Sequence, residues 1–179
     1  MANQPSMETS KLVFVDESAA WCSMNTRYGW AAKGQTPVIK HSAHGKRLSI
    51  VGAIATDGLR AHMTYSGTMN GDRMVEFINE HLGPSLRKGD IVVLDGLRVH
   101  TMTKVREAIE SFGAESLILP PYSPELNPIE HAWSTLKARL HRVSTTTWDT
   151  LCTEVDRIWA ELGPFCTGWV RHCGYVAST

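Results

Sequence analysis

The chain lacks a long apolar run. No stretch of its 179 residues approaches the ~18 consecutive apolar residues that a membrane-crossing helix needs, which excludes that class. The first residues, Met-Ala-Asn-Gln-Pro-Ser, lack the basic patch and apolar segment of a secretory signal, so a cytoplasmic protein is expected. Neither sign of charge is in excess, because 18 Lys and Arg balance 18 Asp and Glu. Net charge therefore cannot hold the chain to a polyanion, and any nucleic-acid contact must come from a local patch. The four cysteines, Cys22, Cys152, Cys166 and Cys173, form no C-x2-C pair. That excludes a zinc ribbon and a dithiol redox motif and leaves reduced thiols as the expectation. His41, His44 and His62 lack a further ligand at a zinc-site spacing. Internal repeats, low-complexity tracts, a phosphate loop of the G-x4-G-K-S/T type and a nucleophile elbow around Ser18 are also absent.

What remains is the composition of a folded globular chain, 42% apolar and 20% charged, with a length that suits one domain. Residues 1–10 are polar and read as a loose tail. Leu12-Val13-Phe14-Val15 is a β-rich apolar run that predicts a buried strand ending on Asp16-Glu17. Residues 26–37, with Gly29, Gly34 and Pro37 around Tyr28 and Trp30, predict an irregular hairpin. Residues 47–56 and 59–66 read as two strands joined at Thr56-Asp57-Gly58. Asn70 can cap a helix over 70–82 that Gly83-Pro84 ends. Ile91–Leu94 predicts a second buried strand, ending on Asp95. A helix over 101–112 buries Val105, Ala108, Ile109 and Phe112, and 116–119 predicts a third buried strand.

Four prolines between 120 and 128 make the next loop rigid. Asn127 suits a helix N-cap and Pro128 the first helical position. The helix then runs to about 142 with Ile129, Trp133, Leu136 and Leu140 inward, and a last helix covers roughly 147–162. The segment 163–179 carries no readable pattern and is left as a tail around a domain spanning 11–162. Strands first, then alternating helices and strands, imply a mixed α/β sheet with helices on both faces and a right-handed parallel crossover.

Asp16 and Asp95 are placed at strand ends, where such sheets bind ligands. Glu130 lies in the first turn of the helix after the Pro-rich loop. Three carboxylates converging on one sheet edge repel one another unless a divalent cation joins them. An all-oxygen set suits Mg2+ or Mn2+, and two such ions can cleave a phosphodiester. Each acid also has a plain explanation. Asp16 and Asp95 (the latter followed by Gly96) are ordinary turn residues, and Glu130 with Asn127 matches a capping box.

The segments LVFVDES, WAAKGQTP, IVVLDGLRVH and LPPYSPELNPIEHAWSTLK occur in that order between residues 12 and 137. Together they resemble the catalytic domain of DDE transposases of the mariner superfamily, in its bacterial insertion-sequence-630 branch. The 34 residues between Asp95 and Glu130 match that branch's spacing. The resemblance implies an RNase H-like fold, with Asp16, Asp95 and Glu130 as the catalytic acids holding two Mg2+ or Mn2+ ions. It implies DNA cleavage and strand transfer on double-stranded DNA, element ends and target alike. It also implies a homodimer on DNA, and a separate N-terminal helix-turn-helix half is expected. Glu17, His100 and Asn127 match positions beside the acids. The family usually has Asn where this chain has Gly96. Two rival readings share these residues: a nuclease of the same fold without a joining step, and an inactive DNA-binding relic.

Lys33, Arg98, Lys137 and Arg139 are candidates for phosphate contact, although most such side chains are simply solvated. Trp30 and Tyr122 could stack on an unpaired base, with packing the commoner role for such rings. Trp133 reads as core.

Overall fold

The structure, a computed structural model, describes residues 8–22, 24, 31–35, 45–143 and 145–175. The expected hairpin over 26–37 lies mostly outside them, as do Tyr28, Trp30, His41 and His44.

Five strands form one sheet: β1 (Leu12–Trp21), β2 (Arg47–Ala55), β3 (Gly58–Ser66), β4 (Ile91–Leu94) and β5 (Glu115–Ile118). Their order is β3-β2-β1-β4-β5. β1, β2 and β3 are antiparallel neighbours, whereas β4 and β5 run parallel to β1. Among the described residues, five α-helices complete the fold: α1 (Gly71–Phe77), α2 (Thr103–Ser111), α3 (Ile129–Leu140), α4 (Trp148–Ala160) and α5 (Cys166–His172). Among the described residues no helix is long and apolar enough to cross a membrane.

Strand alternation sorts the core into two halves. Leu12, Phe14, Leu48, Ile50 and Val93 pack with α3, α4 and α5. Val13, Val15, Val51, Ala53, Val92 and Leu94 pack with α1 and α2. The expected mixed sheet with helices on both faces is therefore present.

Several elements differ from the sequence reading. β1 does not end at Asp16. It pairs with β4 only over Leu12–Phe14 but with β2 as far as Trp21, so Asp16 sits mid-strand. The continuous apolar run marks the part of β1 with strand neighbours on both sides. β5 is not buried. It is the last strand of the sheet, and Leu117 and Ile118 are 37% and 39% exposed. Asn70 does cap α1, accepting from the Arg73 amide at 2.9 Å, but the helix widens into a π-turn over Ile78–Leu82. Thr9, placed in a loose tail by composition, is buried, and its carbonyl accepts from the Thr56 hydroxyl at 2.9 Å. Residues 163–175, which carry no readable sequence pattern, fold onto the core, where Cys166 and Val170 of α5 are fully buried.

One glycine sets the central packing. Gly52 on β2 lies opposite Asp16, and a Cβ there would come within 2.5 Å of the Trp159 ring and 2.8 Å of the Trp133 ring. Gly52→Ala should lower the melting temperature by roughly 2–12 °C, because overpacking costs about 1–3 kcal/mol. Gly168→Ala, in α5 with nothing within 4 Å of the new carbon, should raise it slightly, since Ala favours helix over Gly. Thermal unfolding of the two variants checks both signs.

Candidate active site

The site is built where β1, β4 and the start of α3 meet. Asp16 is only 8% exposed. Its Oδ1 accepts from the Glu17 amide at 2.7 Å and its Oδ2 from the Trp133 indole Nε1 at 3.2 Å. Burial drives its carboxyl up to about 7; the charges of Glu130, Glu17 and Asp95 add to the rise, and the Glu17 amide opposes it. Trp133, read from sequence as core alone, is thus both core and hydrogen-bond donor to the first acid. The missed signal is its place three residues after Glu130, on a neighbouring face of the same helix.

Asp95 follows β4 directly. Its Oδ1 accepts from the Leu97 amide at 3.0 Å and lies 2.6 Å from His100 Nδ1. The other ring nitrogen, Nε2, lies 3.1 Å from Glu17 Oε1. With a carboxylate at each nitrogen, the imidazole is a double donor and carries a positive charge. Burial alone would depress its pKa, but the bonds and charges of Asp95 and Glu17 outweigh that and push it up to about 10. Burial would likewise raise Asp95, yet its bonds from His100 and Leu97 and the imidazolium charge hold it below the usual carboxylate range. Glu17 points to the opposite face of β1 from Asp16, as strand alternation requires. It reaches Asp95 only through His100.

Glu130 is exposed, in the first turn of α3. The expected cap fails. No side chain caps α3, and Asn127 contributes only its backbone carbonyl, which accepts from the Glu130 amide at 3.1 Å. The reason is the preceding turn of 3-10 helix, Pro124–Leu126, which turns the chain before Pro128 starts α3. The Asn127 side chain is left in a buried position, 4% exposed, with its Oδ1 unpartnered. Capping therefore does not explain either residue.

Asp16, Asp95, Glu130 and Asn127 line one cavity of about 420 Å³, closed on one side by the Leu119–Pro124 segment. Tyr122 stands at its edge, 100% exposed, with a left-handed backbone (φ 57°) that a non-glycine residue adopts only at some energetic expense. The packing role suggested for this ring does not hold.

The remaining sequence candidates lie outside the cavity lining. Arg98 and Lys33 are exposed and Lys137 is half-buried. Arg139 is committed elsewhere, 2.8 Å from Glu161 and stacked over Phe165. His62 bonds Asp156 at 2.8 Å and lies against Trp159, a structural role.

The donor set suits a hard divalent cation, being three carboxylates and an orphaned carboxamide oxygen. The raised pKa of Asp16 comes first from burial and then from the neighbouring acids, and a cation would offset both by favouring the ionised form. Among the described residues no three His, Cys, Asp or Glu side chains already converge on a metal-binding point. The acids share the cavity without closing on a common centre.

A model of the DDE superfamily endonuclease family matches residues 11–152. The chain belongs to this family. It is 22% identical over 151 residues to the transposable element Tc1 transposase of Caenorhabditis elegans, covering 82% of this chain and 55% of that protein. Its structure is similar to that of the Mos1 mariner paired end complex with Mn, with a TM-score of 0.73 and 20% identity over 93% of this chain and 52% of that one. The catalytic domain of Mos1 mariner transposase aligns with a TM-score of 0.65 and 16% identity, over 93% of this chain and 77% of that one. The shared architecture is the RNase H-like fold. The chain spans about half the length of the Tc1 relative.

A cation ligated by Asp16 must displace its proton at any pH below about 7. Mn2+ affinity should therefore fall by about tenfold per pH unit below that point and level off above it. Trp133→Phe removes a donor that favours the ionised acid, so the break should move to higher pH. Mn2+-induced thermal shifts between pH 5.5 and 8.5, about one and a half units either side of the break, would record both effects.

Proposed function

We propose that this chain is the catalytic domain of a bacterial transposase of the insertion-sequence-630 branch, cutting DNA strands and joining them at a new position. The observation that carries the proposal is the cavity that collects Asp16, Asp95 and Glu130 from three separate elements. Family membership and the acid spacing support it. The names of its structural neighbours, among them a Mos1 strand transfer complex and paired end complexes with Mn and with Mg, support a DNA substrate, a divalent cation and a dimer on DNA.

In this reading Asp16, Asp95 and Glu130 hold two Mg2+ or Mn2+ ions. Such ions activate the attacking oxygen and stabilise the leaving oxygen of a phosphodiester. The protein's own groups prepare for them. Trp133 and the Glu17 amide hold both oxygens of Asp16 in one orientation. His100 pins one oxygen of Asp95 and keeps that acid ionised. Glu130 is presented from the first turn of α3. Asn127 brings an unpartnered, buried carboxamide oxygen to the cavity wall. Tyr122, fully exposed at the cavity edge, is assigned to stack on a base. Lys33, Arg98 and Lys137 are assigned to backbone phosphates, whereas Arg139 is not, given its ion pair. The catalytic unit is assigned to residues 11–162 together with α5 and Tyr175, which pack into the same core, acting in the cytoplasm with a helix-turn-helix partner segment that reads the element ends.

Supercoiled plasmid with Mn2+ gives a test that needs no knowledge of those ends. The native chain should nick it, while Asp95→Asn and an EDTA control should not. Equal nicking by native and Asp95→Asn protein would overturn the metal site. A pre-cut element end then separates joining from cutting, because a nuclease alone would leave it unjoined.

A further inference from the structure

We infer that Tyr175 is a positioning residue that ties the loop carrying Asn127 and Glu130 to the strand carrying Asp16. It lies beyond the residues that the family model matches.

The chain geometry explains how it arrives there. Helix α5 ends in a left-handed Gly174 (φ 87°). The Gly174 amide bonds the Arg171 carbonyl at 3.1 Å and the Tyr175 amide bonds the Val170 carbonyl at 3.2 Å. These two bonds form a Schellman stop, which reverses the chain and turns the next side chain back toward the helix. Tyr175 consequently packs against the core half that holds α3, α4 and α5.

Two contacts make it a strut. Its ring lies 5.0 Å from Phe14, centre to centre, and Phe14 is two residues before Asp16 on the same face of β1. Its hydroxyl donates to the Leu126 carbonyl at 2.8 Å, next to Asn127 and one turn before Glu130. Beyond the packing of Leu126 against the core, the proline-rich loop has few holds among the described residues. Among the described residues its other hydrogen bonds are local, Leu126 amide to Ser123 carbonyl, Asn127 amide to Pro124 carbonyl and Ser123 hydroxyl to Pro121 carbonyl. Among the described residues, the Tyr175 hydroxyl is the one hydrogen-bond donor that reaches residues 120–126 from another element. The edge-on contact of His172 with His131, 5.0 Å between ring centres, adds a second hold from α5 on the start of α3. One side chain thus spans the elements of two of the three acids, and its hydroxyl sets the height of the loop against the sheet.

The expectation about the cation rests on the proposed metal site, so the experiment reads the strut separately. Tyr175→Phe keeps the ring and removes only the hydroxyl. Amide hydrogen exchange at Leu126, Asn127 and Glu130 should speed up by about two- to thirteenfold, the range that one net hydrogen bond corresponds to. Amides of β2 should be unchanged, and Mn2+ affinity should fall by a comparable factor. Tyr175→Leu should add loss of the Phe14 contact and a lower melting temperature. Exchange in the loop equal to native, or faster exchange spread evenly over the sheet, would overturn the strut and leave Tyr175 as simple packing. Glu130→Gln serves as the control for the site itself. Native Mn2+ affinity in that variant would overturn the metal reading, while the exchange data would still decide the role of Tyr175.

Discussion

The site depends on one ionisable group placed inside a sheet. Asp16 sits in the middle of β1, nearly closed off from solvent, where an unpaired carboxylate is costly to hold. Its position is possible because Gly52 across the ladder has no side chain. The space above that glycine is filled by the Trp133 and Trp159 rings, 5.1 Å apart, and Trp133 turns its N–H to the acid. The acid, the glycine and the two indoles act as one packed unit. It also fixes the rotation of α3 about its axis, and that rotation brings Glu130, one turn earlier, to the same cavity.

The second acid is governed by the other face of the same strand. Asp16 and Glu17 are consecutive and so point to opposite sides. Asp16 lines the cavity, whereas Glu17 reaches His100, and the charged ring passes the connection on to Asp95. A buried imidazolium between two carboxylates holds Asp95 ionised, and the two pairings together outweigh the ring's desolvation. The two acids therefore differ in kind. Asp95 is held charged, and Asp16 is held close to its titration point. Such perturbed neighbours are characteristic of functional sites rather than of turns and caps.

Much of this was legible in the residues. Continuous apolar runs marked β1 and β4, since a strand covered by helices on both faces has no polar side to show. Three separated acids, one following a proline-rich loop, pointed to a shared carboxylate site. Other features were misread for identifiable reasons. Leu117 and Ile118 belong to an apolar run like the others, but nothing in a strand's own residues says whether another strand or helix will cover it. Asn127 has the right identity and spacing for a cap, yet the local turn directs its side chain away from α3. Arg139 is cationic and near the site in sequence, and a glutamate 22 residues later claims it.

By itself, the sequence determined the order of the elements from β1 to α4, the presence of helices on both faces of the sheet and the residue types of the site. Those properties follow from local periodicity and from chemistry carried by single side chains. Only the tertiary structure decided that Asp16 lies mid-strand, that Trp133 serves the first acid, and that residues 163–175 fold back to put Tyr175 on the loop of the third. Each of these depends on contacts between residues far apart in the chain, 117 positions for Trp133 and Asp16 and 49 for Tyr175 and Leu126. No local pattern encodes such pairings, because they exist only once the sheet and its two helical layers have packed.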